Sequence, residues 1–396
     1  SCSPSYGRVL LAFGSTAPDQ GERCLLLDLV DARALADVTL PIPATVIAIS
    51  EDGGMIATQL NDKARIDIFA IDSGNHIAGF RPYQNQSRLS REVQKVCFLD
   101  SGCFATQSHD SNWDVWRLPT CEHVRQFPAG TRHFALSPDR KIAASGPSSN
   151  IYLTDPIRGI CLAMLELDPV EKMDSIDPNS DKPVNTSIRE TVFSPDGSTL
   201  AALVIRSQDK KAQHYIATWD LTAFKQNKIP LPSYTPILRS AMRLLWGGDN
   251  HILIGTSAPP GLNTSDEFQN MMSNRNDYYL YDVDAKELLW RYQLPNGQIP
   301  EYGFDDRFWY VGGNRSEAVT LQAVELPSPE ETAVIESTRR SVSATIDKKP
   351  IRVEVVLKDA PEKIDTLLVK AGLEENLQAM LKDGGYVIDK SSDTIA

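Results

Sequence analysis

The side chains with the most chemical potential are scattered along the chain. Six histidines, His76, His109, His123, His133, His214 and His251, never take the H-x-x-x-H or H-E-x-x-H spacing that sets two imidazoles on one helix face around a metal. His109 precedes Asp110, an adjacent His–carboxylate pair, in a Ser/Asp/Asn-rich stretch that reads as a turn. Asp177, Asn179 and Asp181 alternate oxygen ligands as a calcium loop begins, yet Lys182 stands where Gly is wanted and Ile188 where a bidentate Glu is wanted. That stretch reads as a solvated acidic loop. No G-x-S-x-G elbow and no Gly-rich phosphate cradle occurs. The residues therefore imply no catalytic group, no metal and no cofactor, and binding becomes the leading class of function.

Two groups suit a binding surface. Arg81, Arg88 and Arg91, with Tyr83 among them, form a basic-aromatic stretch in a chain whose formal charge is −12. Phe268, Met271 and Met272 are adaptable apolar residues in a long polar segment; they suit a partner surface or fold back over the protein's own edge. The chain has 52 Asp and Glu against 40 Lys and Arg, a field that repels phosphate backbones and argues against nucleic acid. No apolar run approaches the ~18 residues of a membrane span. With 41% apolar and 23% charged residues in 396, the chain can bury a large core. The six cysteines read as buried thiols, with a Cys97–Cys103 bridge across a hairpin as the alternative. Ser1 in place of Met suggests a processed or excised piece, so the compartment stays open: cytoplasmic, or the soluble part of a larger anchored protein.

The elements that must position these groups come from a repeat. Ser50-Glu51-Asp52-Gly53, Ser137-Pro138-Asp139-Arg140 and Ser194-Pro195-Asp196-Gly197 each lie between two short apolar strands, and weaker copies centre on Asp100, Asp249 and Asp305. Pro presets φ, Asp bonds its own backbone, and Gly accepts positive φ, so the chain reverses in few residues. After each hairpin comes a third strand richer in aromatics, as in Trp113–Leu118 and Tyr215–Leu221, then a more polar fourth, as in Glu122–Phe127 and Glu287–Tyr292. Four antiparallel strands per unit, small and apolar inside, describe a propeller blade.

These Ser-Pro-Asp-Gly turns, with Trp219-Asp220 closing a third strand, resemble WD40-like repeats, especially the degenerate bacterial kind also seen in TolB-like propellers. The resemblance covers about residues 7–346 and implies an all-β, seven-bladed β-propeller. Gly-His pairs do not recur. Val9–Phe13, Cys24–Val30 and Ala34–Leu40 read as the second to fourth strands of a first blade that lacks its innermost strand. The expected donor is a C-terminal strand within Ser341–Ile346 or Ile351–Leu357, because an open edge would be left unpaired otherwise. Long connections at Arg81–Arg91, Asp168–Ser187 and Ala258–Asn276 should all crown one face. From residue 347 to 396 the pattern changes to a small strand-helix-strand segment, truncated or docked on the propeller.

The resemblance and the loops together imply a non-catalytic scaffold that presents a loop-rich face to a protein or peptide. The alternative is a small-ligand or catalytic site in the central funnel, marked by converging carboxylates or histidines with displaced acidities.

Overall fold

A computed structural model describes residues 2–3, 8–13, 23–31, 33–40, 45–59, 63–85, 91–108, 112–128, 134–146, 149–167, 183–208, 211–225, 229–237, 241–248, 250–256, 277–293, 300–304, 307–312, 320–328, 330–334 and 337–338. The fold is all-β. The first sheet contains β1 (Cys2–Ser3), β2 (Arg8–Phe13), β3 (Arg23–Asp28) and β4 (Arg33–Thr39). The second contains β5 (Thr45–Ile49), β6 (Met55–Gln59), β7 (Ile66–Ala70) and β8 (His76–Phe80). In the third are β9 (Val93–Phe98), β10 (Cys103–Ser108), β11 (Asn112–Arg117) and β12 (Glu122–Pro128). The fourth has β13 (Phe134–Leu136), β14 (Ala143–Ser145), β15 (Asn150–Asp155) and β16 (Ile160–Glu166). The fifth has the longest strands, β17 (Asn185–Phe193), β18 (Thr199–Gln208) and β19 (Lys211–Asp220), with a short helix α1 (Thr222–Lys225) before β20 (Ser233–Ile237). The sixth follows as β21 (Ala241–Gly247), β22 (His251–Thr256), β23 (Asp277–Asp282) and β24 (Glu287–Gln293). Three strands make the seventh among the described residues: β25 (Pro300–Phe304), β26 (Arg307–Gly312) and β27 (Thr320–Glu325). Every pairing is antiparallel and sequential.

One expectation needs correcting. The first sheet carries its own innermost strand: Cys2 pairs with Val9 and Ser3 with Arg8, so the chain's start occupies that part of the β2 edge assigned to a C-terminal donor. A backbone edge takes any strand that satisfies its N–H and C=O groups, and the local segment reaches it with little loop closure. Ser341–Ile346, Ile351–Leu357 and the whole 347–396 segment lie outside the described residues.

Apolar clusters link consecutive sheets. Leu10, Leu26, Ile56 and Phe69 join the first to the second, and Ile68, Val93, Phe104 and Trp116 join the second to the third. Trp113, Phe127 and Ala143 join the third to the fourth; Ile151, Leu165, Val204 and Trp219 join the fourth to the fifth. Leu203, Ile216, Trp246 and Ile254 continue to the sixth, where Leu280 and Phe308 reach the seventh. Side chains alternate along a strand, so β18 sends Leu200, Ala202 and Val204 one way and Ala201 and Leu203 the other. The free cysteines show no bridge: Cys97 pairs with Ala105, and Cys103 with Arg117. Cys161 departs from the buried-thiol reading, because it sits exposed on β16, the outermost strand of its sheet.

The three fullest repeat turns are built alike. The hydroxyls of Ser50, Ser137 and Ser194 donate to Oδ1 of Asp52, Asp139 and Asp196 at 2.6, 2.8 and 2.6 Å. Each hydroxyl also accepts the N–H five residues on, at 2.8 Å from Met55 and 2.9 Å from Ile142 and Thr199. The fourth turn residue is left-handed in all three, with φ of 70° at Gly53, 57° at Arg140 and 69° at Gly197. Arg140 tolerates that strain while its guanidinium donates to the Phe98 carbonyl and pairs with Glu51 at 3.4 Å, ties that glycine has no atoms to make.

Substituting Ser194→Ala removes both a donor and an acceptor from a half-buried turn, and chemical denaturation is expected to show a loss of about 1–2 kcal/mol. Acid should act on all three turns. Burial raises the Asp139 and Asp196 carboxyls, but bonds from the serines and turn N–H groups outweigh it; the Ser50 bond leads at Asp52, and all three are held below the usual range. Their folded pKa values lie under the unfolded ones, so they stabilise the fold above about pH 4 and stop doing so as pH falls further. Stability measured between pH 5 and pH 2 should fall less steeply in a D52N/D139N/D196N variant than in the wild type.

Candidate functional site

In an antiparallel meander, the connection from a second to a third strand and the connection to the next sheet leave the same side. Connections 14–22, 81–92, 167–184, 257–276 and 313–319 are all of these two kinds. The opposite side carries the tight repeat turns, with one longer excursion, 221–232, which holds α1. The described strand ends from which these connections leave therefore lie on the side of each sheet opposite the repeat turns.

Arg81 and Arg91 are exposed at the two ends of the connection between β8 and β9. Arg88, Phe268, Met271 and Met272 lie outside the described residues. Tyr83 does not belong with the surface group. Its ring is 4% exposed in the cluster joining the second and third sheets, and its hydroxyl meets Thr106 Oγ1 at 2.8 Å. Thr106 Oγ1 also accepts the Trp116 indole N–H at 2.8 Å. Burial pushes the Tyr83 phenol far up, opposed by the Thr106 bond and reinforced by the charge of Asp114. A phenol needs a partner once an apolar ring carries it inward, and β10 supplies one. Tyr83 thus anchors the connection from which Arg81 and Arg91 project.

Two His–carboxylate contacts form across strands. Asp67, 1% exposed, accepts from Arg65 Nε and Nη2 and contacts His76 Nε2, all at 2.8 Å. Asp114 contacts His123 Nε2 at 2.8 Å and accepts from Gln126 Nε2 at 3.2 Å. The His76 ring meets Phe69 edge-on at 5.1 Å and His123 meets Trp116 at 5.0 Å. Gly79 lies opposite Asp67, where a Cβ would fall 2.2 Å from Asp67 Oδ1. Burial pushes the Asp67 carboxyl up, but Arg65 and His76 more than offset it and hold it low. Their only signal in sequence was the shared offset of nine residues, Asp67 to His76 and Asp114 to His123. Each pair ties the third strand of its sheet to the fourth, β7 to β8 and β11 to β12.

The first strands hold a second group. Residues 47, 94, 189, 242 and 301 are skipped in the pairing of β5, β9, β17, β21 and β25, a bulge in five sheets. Immediately after three of these bulges stand Lys95, Glu190 and Arg243. A bulge twists the strand and re-aims the next side chain. Glu190 Oε2 accepts the Leu244 N–H at 2.5 Å, tying the fifth sheet to the sixth. Burial pushes the Glu190 carboxyl up against the Leu244 bond and the charges of Arg243 and Lys95. Burial likewise pushes the Lys95 ammonium down, although Glu190 and Cys97 favour its charged form. Lys95 is nonetheless exposed, and Glu190 and Arg243 are half-buried. Each lies three residues before a large aromatic, Phe98, Phe193 or Trp246, a spacing visible in the sequence once the bulges are known.

No protein-family model matches the chain, and no curated protein matches its sequence. Among the described residues no helix is long and apolar enough to cross a membrane.

Replacing Tyr83 with Phe should cost about 1–2 kcal/mol of stability in denaturant titration, since buried Thr106 loses a hydroxyl partner. If Tyr83 were a surface contact residue, stability would stay unchanged.

Proposed function

We propose that the chain is a seven-bladed β-propeller of WD40-like or TolB-like type, serving as a non-catalytic platform for a protein or peptide partner. Seven consecutive sheets joined by interface-filling clusters support the propeller reading. The observation that carries the function is the asymmetry between faces. Hydrogen-bonded turns stiffen one side of the sheets, and the strand ends that carry the long connections lie on the other, where Arg81 and Arg91 stand exposed beside a buried anchor. A rigid frame lowers the ordering entropy lost when loops engage a partner. In a chain of net charge −12, this basic spot selects an acidic partner by electrostatic complementarity.

An array of acidic, neutral and basic peptides tests the reading. The wild type should retain acidic peptides preferentially, more strongly at low salt, and an R81E/R91E variant should lose at least ~10-fold in retention. Equal retention of all three peptide classes, or an unaltered acidic preference in the variant, would overturn it.

A further inference from the structure

We infer that the outer edge of the fourth sheet, strand β16, is the surface through which two copies of this chain pair, edge to edge and antiparallel about a two-fold axis. Such pairing requires only the fourth sheet, and neither a blade count nor a partner at Arg81 and Arg91.

The outermost strands β4, β8, β12 and β24 each skip one apolar residue in pairing with the third strand: Leu35, Ile77, Val124 and Leu289. All four side chains pack into the clusters between sheets. β16 is bulged at the same place, at Leu162. Among the described residues, however, Leu162 joins no such cluster, and it is 40% exposed. Beside it Ile160 is 53% exposed and Cys161 is exposed, and so is Ile157 in the hairpin that leads into the strand. Apolar surface that four sibling strands turn inward is thus turned outward along one continuous stretch.

An outermost strand offers its backbone N–H and C=O groups to any further strand, and proteins blunt such edges with charge or proline. The exposed positions of β4, β8, β12 and β20 follow that rule, with Arg33, Asp37, His76, Glu122, Gln126 and Pro236 among them. β16 does not: from Ile160 to Met164 it has neither a charged residue nor a proline. Its charges stand at its two ends, Arg158 in the hairpin and Glu166 at the last position, both exposed. Arg158 has a 3.7 Å contact with Asp155, a surface pairing that holds it weakly. A second β16 running antiparallel about an axis at Leu162 brings each Arg158 opposite the other copy's Glu166, because the two are equally far from that axis in sequence. The same register sets Leu162 against Leu162 and Ile160 against Met164. A parallel copy would oppose Arg158 to Arg158 and Glu166 to Glu166, and a uniformly acidic or basic peptide would meet a like charge at one end. This strand reversed complements both ends and the apolar middle together.

The test is sedimentation velocity of the whole chain over a range of concentrations in reducing buffer, where the mass should rise reversibly from 43.8 kDa toward twice that value. An I160K/L162K variant, changed at two exposed positions, should raise the dimer dissociation constant at least ~10-fold. Its unfolding midpoint should match the wild type at concentrations where both are monomeric. R158E alone should weaken the pair several-fold, and the R158E/E166R exchange should restore it, a recovery that a merely sticky surface does not give. A chain that stays monomeric at every concentration, or an I160K/L162K variant that pairs as the wild type does, overturns the pairing. A monomer that loses stability in I160K/L162K would show another segment of the same chain covering β16, and overturns it equally. A dimer that R158E weakens and R158E/E166R fails to restore overturns the antiparallel axis at Leu162.

Discussion

From the second to the sixth, each sheet in this protein is apolar on both faces, and that single constraint governs the rest. In β18, Leu200, Ala202 and Val204 belong to one interface and Ala201 and Leu203 to the next. A sheet standing alone would expose one of those rows, at about 1.5–3 kcal/mol for each large side chain. No sheet is therefore a folding unit by itself, and stability becomes a sum over neighbouring interfaces. The same requirement explains why Trp113, Phe127 and Trp219 are among the most deeply buried side chains: the gap between twisted sheets widens outward, and only large rings fill it.

Polar chemistry then sets register at the rims. Arg8 donates to the Asp52 carbonyl, Arg125 to the Arg158 carbonyl and Arg140 to the Phe98 carbonyl, so arginines repeatedly clasp one sheet to a turn or strand end of another. These contacts lie at exposed or half-exposed positions, where a single bond contributes little net free energy. Their value is geometric, because they fix how far each sheet rotates on its neighbour. The buried polar units, Asp67 with Arg65 and His76, and Thr106 with Tyr83 and Trp116, act differently. Each ties polar groups to one another inside the protein, and each would be costly to leave half-made.

Glu190 and Lys95 are both shifted toward their neutral forms by burial, so the charged state is held at a cost that packing elsewhere must offset. The first strands that carry them, β17 and β9, are bulged at matching places and feed interface clusters on both sides.

The strands and turns were legible in sequence because their causes are local. Asp52, Asp139 and Asp196 bond atoms within a few residues, and the apolar strands beside them alternate with period two. Arg81 and Arg91 were also readable as exposed, since charge at a loop end needs no distant partner to reach water. Tyr83 was not: a Tyr between arginines in sequence became a core residue because Thr106, 23 positions away, offered its hydroxyl a partner. Lys95, Glu190 and Arg243 carried no shared motif, since what they have in common is a skipped residue just before each in three separate strands. The partner of the β2 edge was hidden as well. Sequence determines which segments become strands; which strand covers which edge, and which charges meet, are decided by sheets stacking on one another across long separations in the chain.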